Sequence, residues 1–330
     1  MNEARQQMLK WQEQGLIDNS NIEQALELGG GKNTSAQWFT YIKTMMLWLG
    51  VLALASGIIF FFAYNWDDIS DFTKFAIVQG LIVVAFIAYT QTRRFSIAST
   101  STLFFMTMLF GALFALFGQT YQTGKDPWQL FLIWTLFTTP LAFASRSSGM
   151  WLIWLGLANL TLSLYSDVHR TFWGFWLFSR EHLMFVFALL NMTAGLFFEL
   201  LHKSKAPLLF NRIAAQTALV AAMVCLSFLS LYFIDNPKRY YQEFLLFLLW
   251  MPAIYYFYRV KTLDVLIMAS WAVATAVFAL GLIAKAINDD LDGLAFLLFG
   301  LLIIGASTAI IKWLIYLLRE SRATEENSHE

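Results

Sequence analysis

Charge is scarce in this chain of 330 residues: only 13% are Asp, Glu, Lys or Arg, against about 25% in a soluble globular protein. The 22 basic and 22 acidic residues cancel, so no excess charge draws the chain to a nucleic acid, and that class of partner is excluded. A single cysteine, Cys225, lies in an apolar run and excludes an intrachain disulfide framework. Catalytic signatures are missing as well. The sequence holds no P-loop, no GxGxxG after a strand, no HExxH, no CxxC and no GxSxG. No serine or threonine is paired with an intramembrane base, so the expectation is a protein that is not an enzyme and that needs no metal and no cofactor.

What is abundant is hydrocarbon. Hydrophobic residues make up 58% of the chain and the mean hydropathy is +0.59, more apolar surface than a soluble fold of this size can bury. A bilayer core about 30 Å thick is crossed by roughly 20 apolar residues in a helix, and about ten such runs follow one another between residues 45 and 318. The fold class expected is therefore all-α: a polytopic integral membrane helical bundle of about ten transmembrane helices. The fifth run covers 150–165, and the eighth, 244–258, is short and contains Pro252. The chain then divides into a cytoplasmic segment and linker (1–43), a first membrane half of five spans (44–166), a second of five (167–318) and a cytoplasmic tail (319–330). More than forty hydrophilic residues precede the first run, unlike the short basic lead of a cleaved signal peptide. With the N-terminus inside, fifteen of the 22 basic residues fall on the inner side, so the positive-inside rule predicts both ends in the cytoplasm.

Lys74, Glu199, Asp264 and Lys285 fall near span ends, where long side chains are expected to reach water at small cost. Deeper in the spans the polar residues are neutral: Gln79, Asn159, Asn191 and Gln216. Hydrogen bonding between helices is their expected role, and so few intramembrane charges argue against a proton-coupled pump. Small residues at helical spacing, Ala53 with Gly57 and Gly111 with Ala115, are expected to let helices approach. His169 and His182 share one outer loop, and their spacing is not a ligand motif.

The amino-terminal tail has the pattern of a short helical hairpin. Met8, Leu9, Leu16 and Ile17 are apolar, Gly15 is a break, Ser20 to Glu23 reads as a capping box, and Gly29-Gly30-Gly31 forms a flexible stop. So small a segment buries little core alone. It either packs on the cytoplasmic face or docks a protein partner through residues 1–31, the bilayer being the other surrounding partner.

Two outer clusters join interfacial aromatics to polar groups: Asn65-Trp66-Asp67-Asp68 after the first span, and Gln119 and Tyr121 after the third, with Trp128 opening the fourth. With spans one and three ending on the same face, these residues are candidates for a common outer pocket, or for ordinary capping and anchoring of helix ends.

The same clusters carry a resemblance. Trp11 with Gly15-Leu16-Ile17, a first span ending in Ala63-Tyr64-Asn65-Trp66-Asp67, then Phe117-Gly118-Gln119-Thr120-Tyr121, Trp128, Trp134 and Pro140-Leu141-Ala142 with Arg146 resemble the bacterial membrane-protein family designated domain of unknown function 2157. The similarity covers roughly residues 5–165. It implies a multi-pass bacterial inner-membrane protein and brings no activity, substrate or cofactor, so Asn65, Trp66, Asp67, Gln119 and Tyr121 enter as motif positions without assigned roles.

Two functions compete. The first is a non-enzymatic membrane component, a scaffold or sensor whose tail couples to the bundle and whose outer polar and aromatic face meets a partner. The alternative is a transporter or lipid-handling protein for a neutral or amphipathic substrate, with its spans arranged five and five.

Overall fold

A computed structural model describes Trp11, Gly15, Leu16 and Asp18 of the tail and residues 35–65, 68–121, 127–168, 182–203, 212–287 and 293–328. Among the described residues there are ten helices and no strand: α1 (Ser35–Tyr64), α2 (Asp71–Gln91), α3 (Ile97–Thr120), α4 (Pro127–Ser145), α5 (Ser148–Val168), α6 (Leu183–Lys203), α7 (Arg212–Asp235), α8 (Tyr241–Tyr255), α9 (Val265–Ile287) and α10 (Gly293–Ser328). Nine of these helical stretches are long and apolar enough to cross a membrane, and the chain is a polytopic helical membrane protein. Only helices satisfy every backbone donor and acceptor within one segment in lipid, so these apolar runs have no other open conformation.

The fifth expected span is the one outside the nine. Its 21 residues form α5, yet Trp151, Trp154, Asn159 and a series of hydroxyls lower its hydropathy. The eighth is longer than its run suggested. Pro252 sits inside α8, and the chain continues through a π-helical segment, Tyr256–Lys261, so that the apolar stretch reaches from Tyr241 to Lys261.

Helix ends follow local chemistry. In the tail, Gly15 adopts φ +72° and the Leu16 amide donates to the Trp11 carbonyl at 2.8 Å. That is the six-to-one bond of a glycine-ended helix, as the break at Gly15 predicted. The second helix expected in the hairpin, and the capping box before it, lie outside the described residues. Ser70 caps α2 by accepting from the Thr73 amide at 3.3 Å, with Asp71 in the favourable first turn. Between α4 and α5 only two residues intervene, and Arg146 makes the reversal at φ +50°, a left-handed conformation costly for a side chain bearing a Cβ.

The chain divides into two compact units, Met1–Ala112 and Leu113–Glu330. In the first, Trp48 of α1 meets Phe104 of α3 edge-on at 5.0 Å, and Val78, Leu103 and Leu109 are buried. Ala53 is exposed and Gly57 faces open space, so this small-residue pair does not serve the close approach expected of it. In the second unit the core gathers Leu219, Met223 and Leu226 of α7 with Met192 of α6, Phe247 and Met251 of α8, Ile267 and Met268 of α9 and Leu317 of α10.

Close approach occurs at other glycines. A Cβ on Gly195 would meet Leu219 Cδ2 and Cγ at 2.7 and 2.8 Å, and one on Gly281 would meet Leu231 and Ile234 at 2.7 and 2.9 Å. Leu219 is fully buried and has nowhere to yield. Gly195→Ala is therefore expected to force α6 from α7 at a cost of about 1–3 kcal/mol, read as a lower thermal unfolding midpoint in detergent. Gly300→Ala, where a Cβ meets nothing, is expected to leave the midpoint unchanged or raise it slightly.

Candidate functional site

Three helices of the second unit and the π-helical segment converge on a largely buried network of charge. Arg212 opens α7, Glu199 lies in the last turn of α6, and Asp264 immediately precedes α9. The Arg212 Nη2 lies 3.2 Å from Asp264 Oδ2, and its Nε lies 3.9 Å from Glu199 Oε2. Both carboxylate residues are 5% exposed. One guanidinium thus stands between two acids by charge, since neither its Nε nor its Nη2 makes a hydrogen bond among the described residues.

Asp264 is fixed at both oxygens. Gln216 Nε2 donates to Oδ2 at 2.8 Å, and the amides of Leu266 and Ile267 donate to Oδ1 at 3.0 and 3.2 Å, which makes the same side chain the N-cap of α9. Lys203 approaches Glu199 at 3.7 Å and lies 3.9 Å from the centre of the Phe257 ring. Being partly exposed, it adds less than about 1 kcal/mol. The π-helical segment supplies Tyr258, buried at 2% beside Glu199 and 5.8 Å from the Arg212 guanidinium. Its carbonyl also accepts from the Asp264 amide at 3.4 Å. The next residue, Arg259, donates to Glu320 of α10 at 2.6 Å.

Glu199 and Asp264 are therefore not the water-reaching span ends that their positions suggested. Each lies within the protein because Arg212 neutralises it there, and a buried charge without a partner would cost several kcal/mol. Lys74 departs similarly: it is buried and paired with Asp71 at 3.0 Å. Lys285 is exposed as expected and reaches Asp235 at 3.3 Å.

At the opposite end of the unit, His182 and Glu243 form a second buried pair through Nδ1 and Oε1. The His182 and Tyr240 rings are 6.0 Å apart. Each side chain supplies the polar partner that the other, buried as it is, requires. His169, the other outer-loop histidine, lies outside the described residues. Among those described, no group of three His, Cys, Asp or Glu side chains is placed to hold a metal.

Three of the four neutral residues expected in the spans make bonds between helices, Gln216 to Asp264 and the two asparagines to each other, whereas Gln79 is exposed. Asn159 and Asn191 exchange amide hydrogen bonds at 3.2 and 2.8 Å across α5 and α6, and each also donates to its own helix at 2.8 Å. Thr135 and Thr161 meet at 3.3 Å, and the Trp154 indole donates to Thr139 at 2.9 Å, both between α4 and α5.

The motif residues take local positions. Asn65 Nδ2 donates to the Phe61 carbonyl at 2.9 Å, closing the end of α1, and Asp68 is exposed. Trp66 and Asp67 lie outside the described residues. In the second unit, Gln119 is exposed, Tyr121 rests on Phe117 at 4.6 Å, and Trp128 meets Tyr165 edge-on at 4.8 Å. Asn65 thus makes a helix-end contact, while Tyr121 and Trp128 make aromatic ones.

This is the architecture of a multi-pass membrane protein. Residues 9–151 match the model of a family described as predicted membrane protein, domain of unknown function 2157. No curated protein and no solved structure matches the chain.

Truncating either partner of the central ion pair is expected to be costly. Arg212→Ala should destabilise by about 3 kcal/mol or more, because it leaves two buried carboxylates without their cation, whereas Asp264→Ala leaves a partly exposed guanidinium that still faces Glu199 and should cost less. The double variant should lose less than the sum of the two, and thermal denaturation of all four proteins in one detergent measures that coupling.

Proposed function

We propose that this protein is a non-enzymatic component of the bacterial inner membrane, a scaffold or sensor with both ends in the cytoplasm and with α5 crossing as a tenth span. The observation that carries the reading is the π-helical segment. Tyr258 stands in the Glu199–Arg212–Asp264 network while Arg259, one residue on, holds Glu320 of α10. Adjacent residues thus tie the buried charges of the core to the helix that continues furthest beyond its apolar span. A change in either is transmitted to the other through a single turn of backbone, which is what coupling between a bundle and a cytoplasmic partner requires. Satisfied polar pairs such as Asn159–Asn191 support a packed interior in preference to a solvated path.

The tenth crossing rests on length and packing. The 21 residues of α5 extend about 31 Å, enough for the hydrocarbon core. Trp154 and Thr161 hold it along α4. Orientation is tested with single cysteines on a Cys225→Ser background and an impermeant maleimide in intact cells. Labelling of Asp68→Cys with protection of Lys203→Cys is expected. Protection at position 68 overturns the orientation, and labelling at 203 overturns the crossing by α5.

The scaffold reading is tested by native mass spectrometry of protein extracted gently from its own membrane. A stoichiometric protein partner that disappears on deletion of residues 1–31 is expected. A bound metabolite with no protein partner would replace this reading with the transporter.

A further inference from the structure

The last helix is seated at one end only. Near its exit from the span, Leu317 is fully buried in the core, the Trp313 and Trp271 rings lie 6.0 Å apart, and Glu320 is held by Arg259. Nearer its start the contacts fall away, with Leu297 and Leu301 66% and 63% exposed. Between this half of α10 and the final turns of α9 lies a groove of about 650 Å³. Its floor is set by Ala276 and Ala279 of α9 and by Gly305 and Ala306 of α10, with Ile283 and Leu298 at its outer end.

Small residues facing one another normally bring two membrane helices into contact. Here they line an open groove instead, away from the seat of α10 at Leu317. A gap of this kind has no partner atoms on one side and forfeits their dispersion energy until something fills it. Its walls are almost entirely hydrocarbon, with no donor or acceptor to orient a polar metabolite. The volume lies in the range of ligand pockets, about 300–1,000 Å³.

Position identifies the occupant. The groove runs from Ala276 to Ile283 on α9 and from Leu298 to Ala306 on α10, a height of about 10–12 Å at the helical rise. One leaflet of the hydrocarbon core is about 15 Å deep. Both stretches belong to the same half of the membrane, the half in which α9 ends and α10 begins. A lipid chain from that leaflet enters from the side without leaving hydrocarbon.

We infer that this wedge is a binding site for one acyl chain of a membrane phospholipid, held between α9 and α10 and bracing the free half of α10. In the orientation proposed above the lipid belongs to the outer leaflet. The site itself rests on neither that orientation nor the scaffold reading.

The test uses the full-length protein in nanodiscs made from phosphatidylethanolamine and phosphatidylglycerol, with a fraction of the phosphatidylethanolamine carrying a photoactivatable diazirine in its acyl chain. After irradiation, adducts are mapped by peptide mass spectrometry. The stretches 276–283 and 298–306 are expected to be labelled at least five-fold more than the exposed face of α8 around Leu249, which reports general lipid contact. Gly305→Leu fills the groove, and a Cβ there meets nothing within 4 Å, so this variant is expected to fold. It should lose most labelling of the groove while labelling around Leu249 stays unchanged. Equal labelling of groove and α8, or groove labelling that survives Gly305→Leu, overturns the proposal. So does a disulfide between two copies carrying Leu302→Cys on a Cys225→Ser background, since a second chain would then cover the groove. A misfolded Gly305→Leu would show a lowered thermal midpoint; Ala279→Leu is then the second filling variant, with the same expected loss.

Discussion

A charge taken out of water must be met by another charge, and that requirement organises the larger unit of this protein. Arg212 meets Asp264 and Glu199 at once, so the start of α7, the end of α6 and the entry to α9 are fixed by one guanidinium. Asp264 also caps α9, and Gln216 holds it from α7. Hydrophobic burial does not distinguish helix from lipid inside a membrane, because the tails are as apolar as leucine. Specific register then has to come from steric fit, as at Gly195 against Leu219, and from polar pairs of this kind.

Much of the architecture was legible in the sequence because it rests on local composition. Runs of apolar residues had to become helices in lipid, and Gly15 ended a helix in the way its position implied. Asn159, Asn191 and Gln216 could be assigned to pairing between helices, though not to particular partners. The network itself was not legible. Glu199, Arg212, Tyr258 and Asp264 are spread over more than sixty positions, and each alone sits where a charged or aromatic residue at a membrane edge is unremarkable. Only the packing of α6 antiparallel to α7, and of α9 parallel to it, together with the π-helical segment, puts them together. Pro252 was visible as a disturbance within a short run, but the π turn beyond it, which extends the apolar stretch to Lys261, was not. Small-residue spacing misled at Ala53 and Gly57, since such a motif says that close approach is permitted and not that a helix is there to approach.

The resemblance and the buried chemistry occupy different parts of the chain. The family match ends at residue 151, and its motif residues Asn65, Tyr121 and Trp128 make local contacts at helix ends and among aromatic rings. The Glu199–Asp264 network and the His182–Glu243 pair both lie beyond it. The segment that places this protein among predicted membrane proteins is thus separate from the segment with the costliest interactions.

Bilayer thickness bears directly on α10. Its apolar stretch, Leu297–Glu320, has 24 residues and a length of about 36 Å, while the hydrocarbon core is about 30 Å thick. Tilt is one way to take up such an excess, at a cost of a fraction of a kcal/mol per Å of mismatch. One end of this helix is fastened at Leu317 and Glu320, so tilting swings the other end about that anchorage. A thinner membrane lays α10 further over and a thicker one draws it upright, which makes its angle to α9 a function of the lipid composition around it.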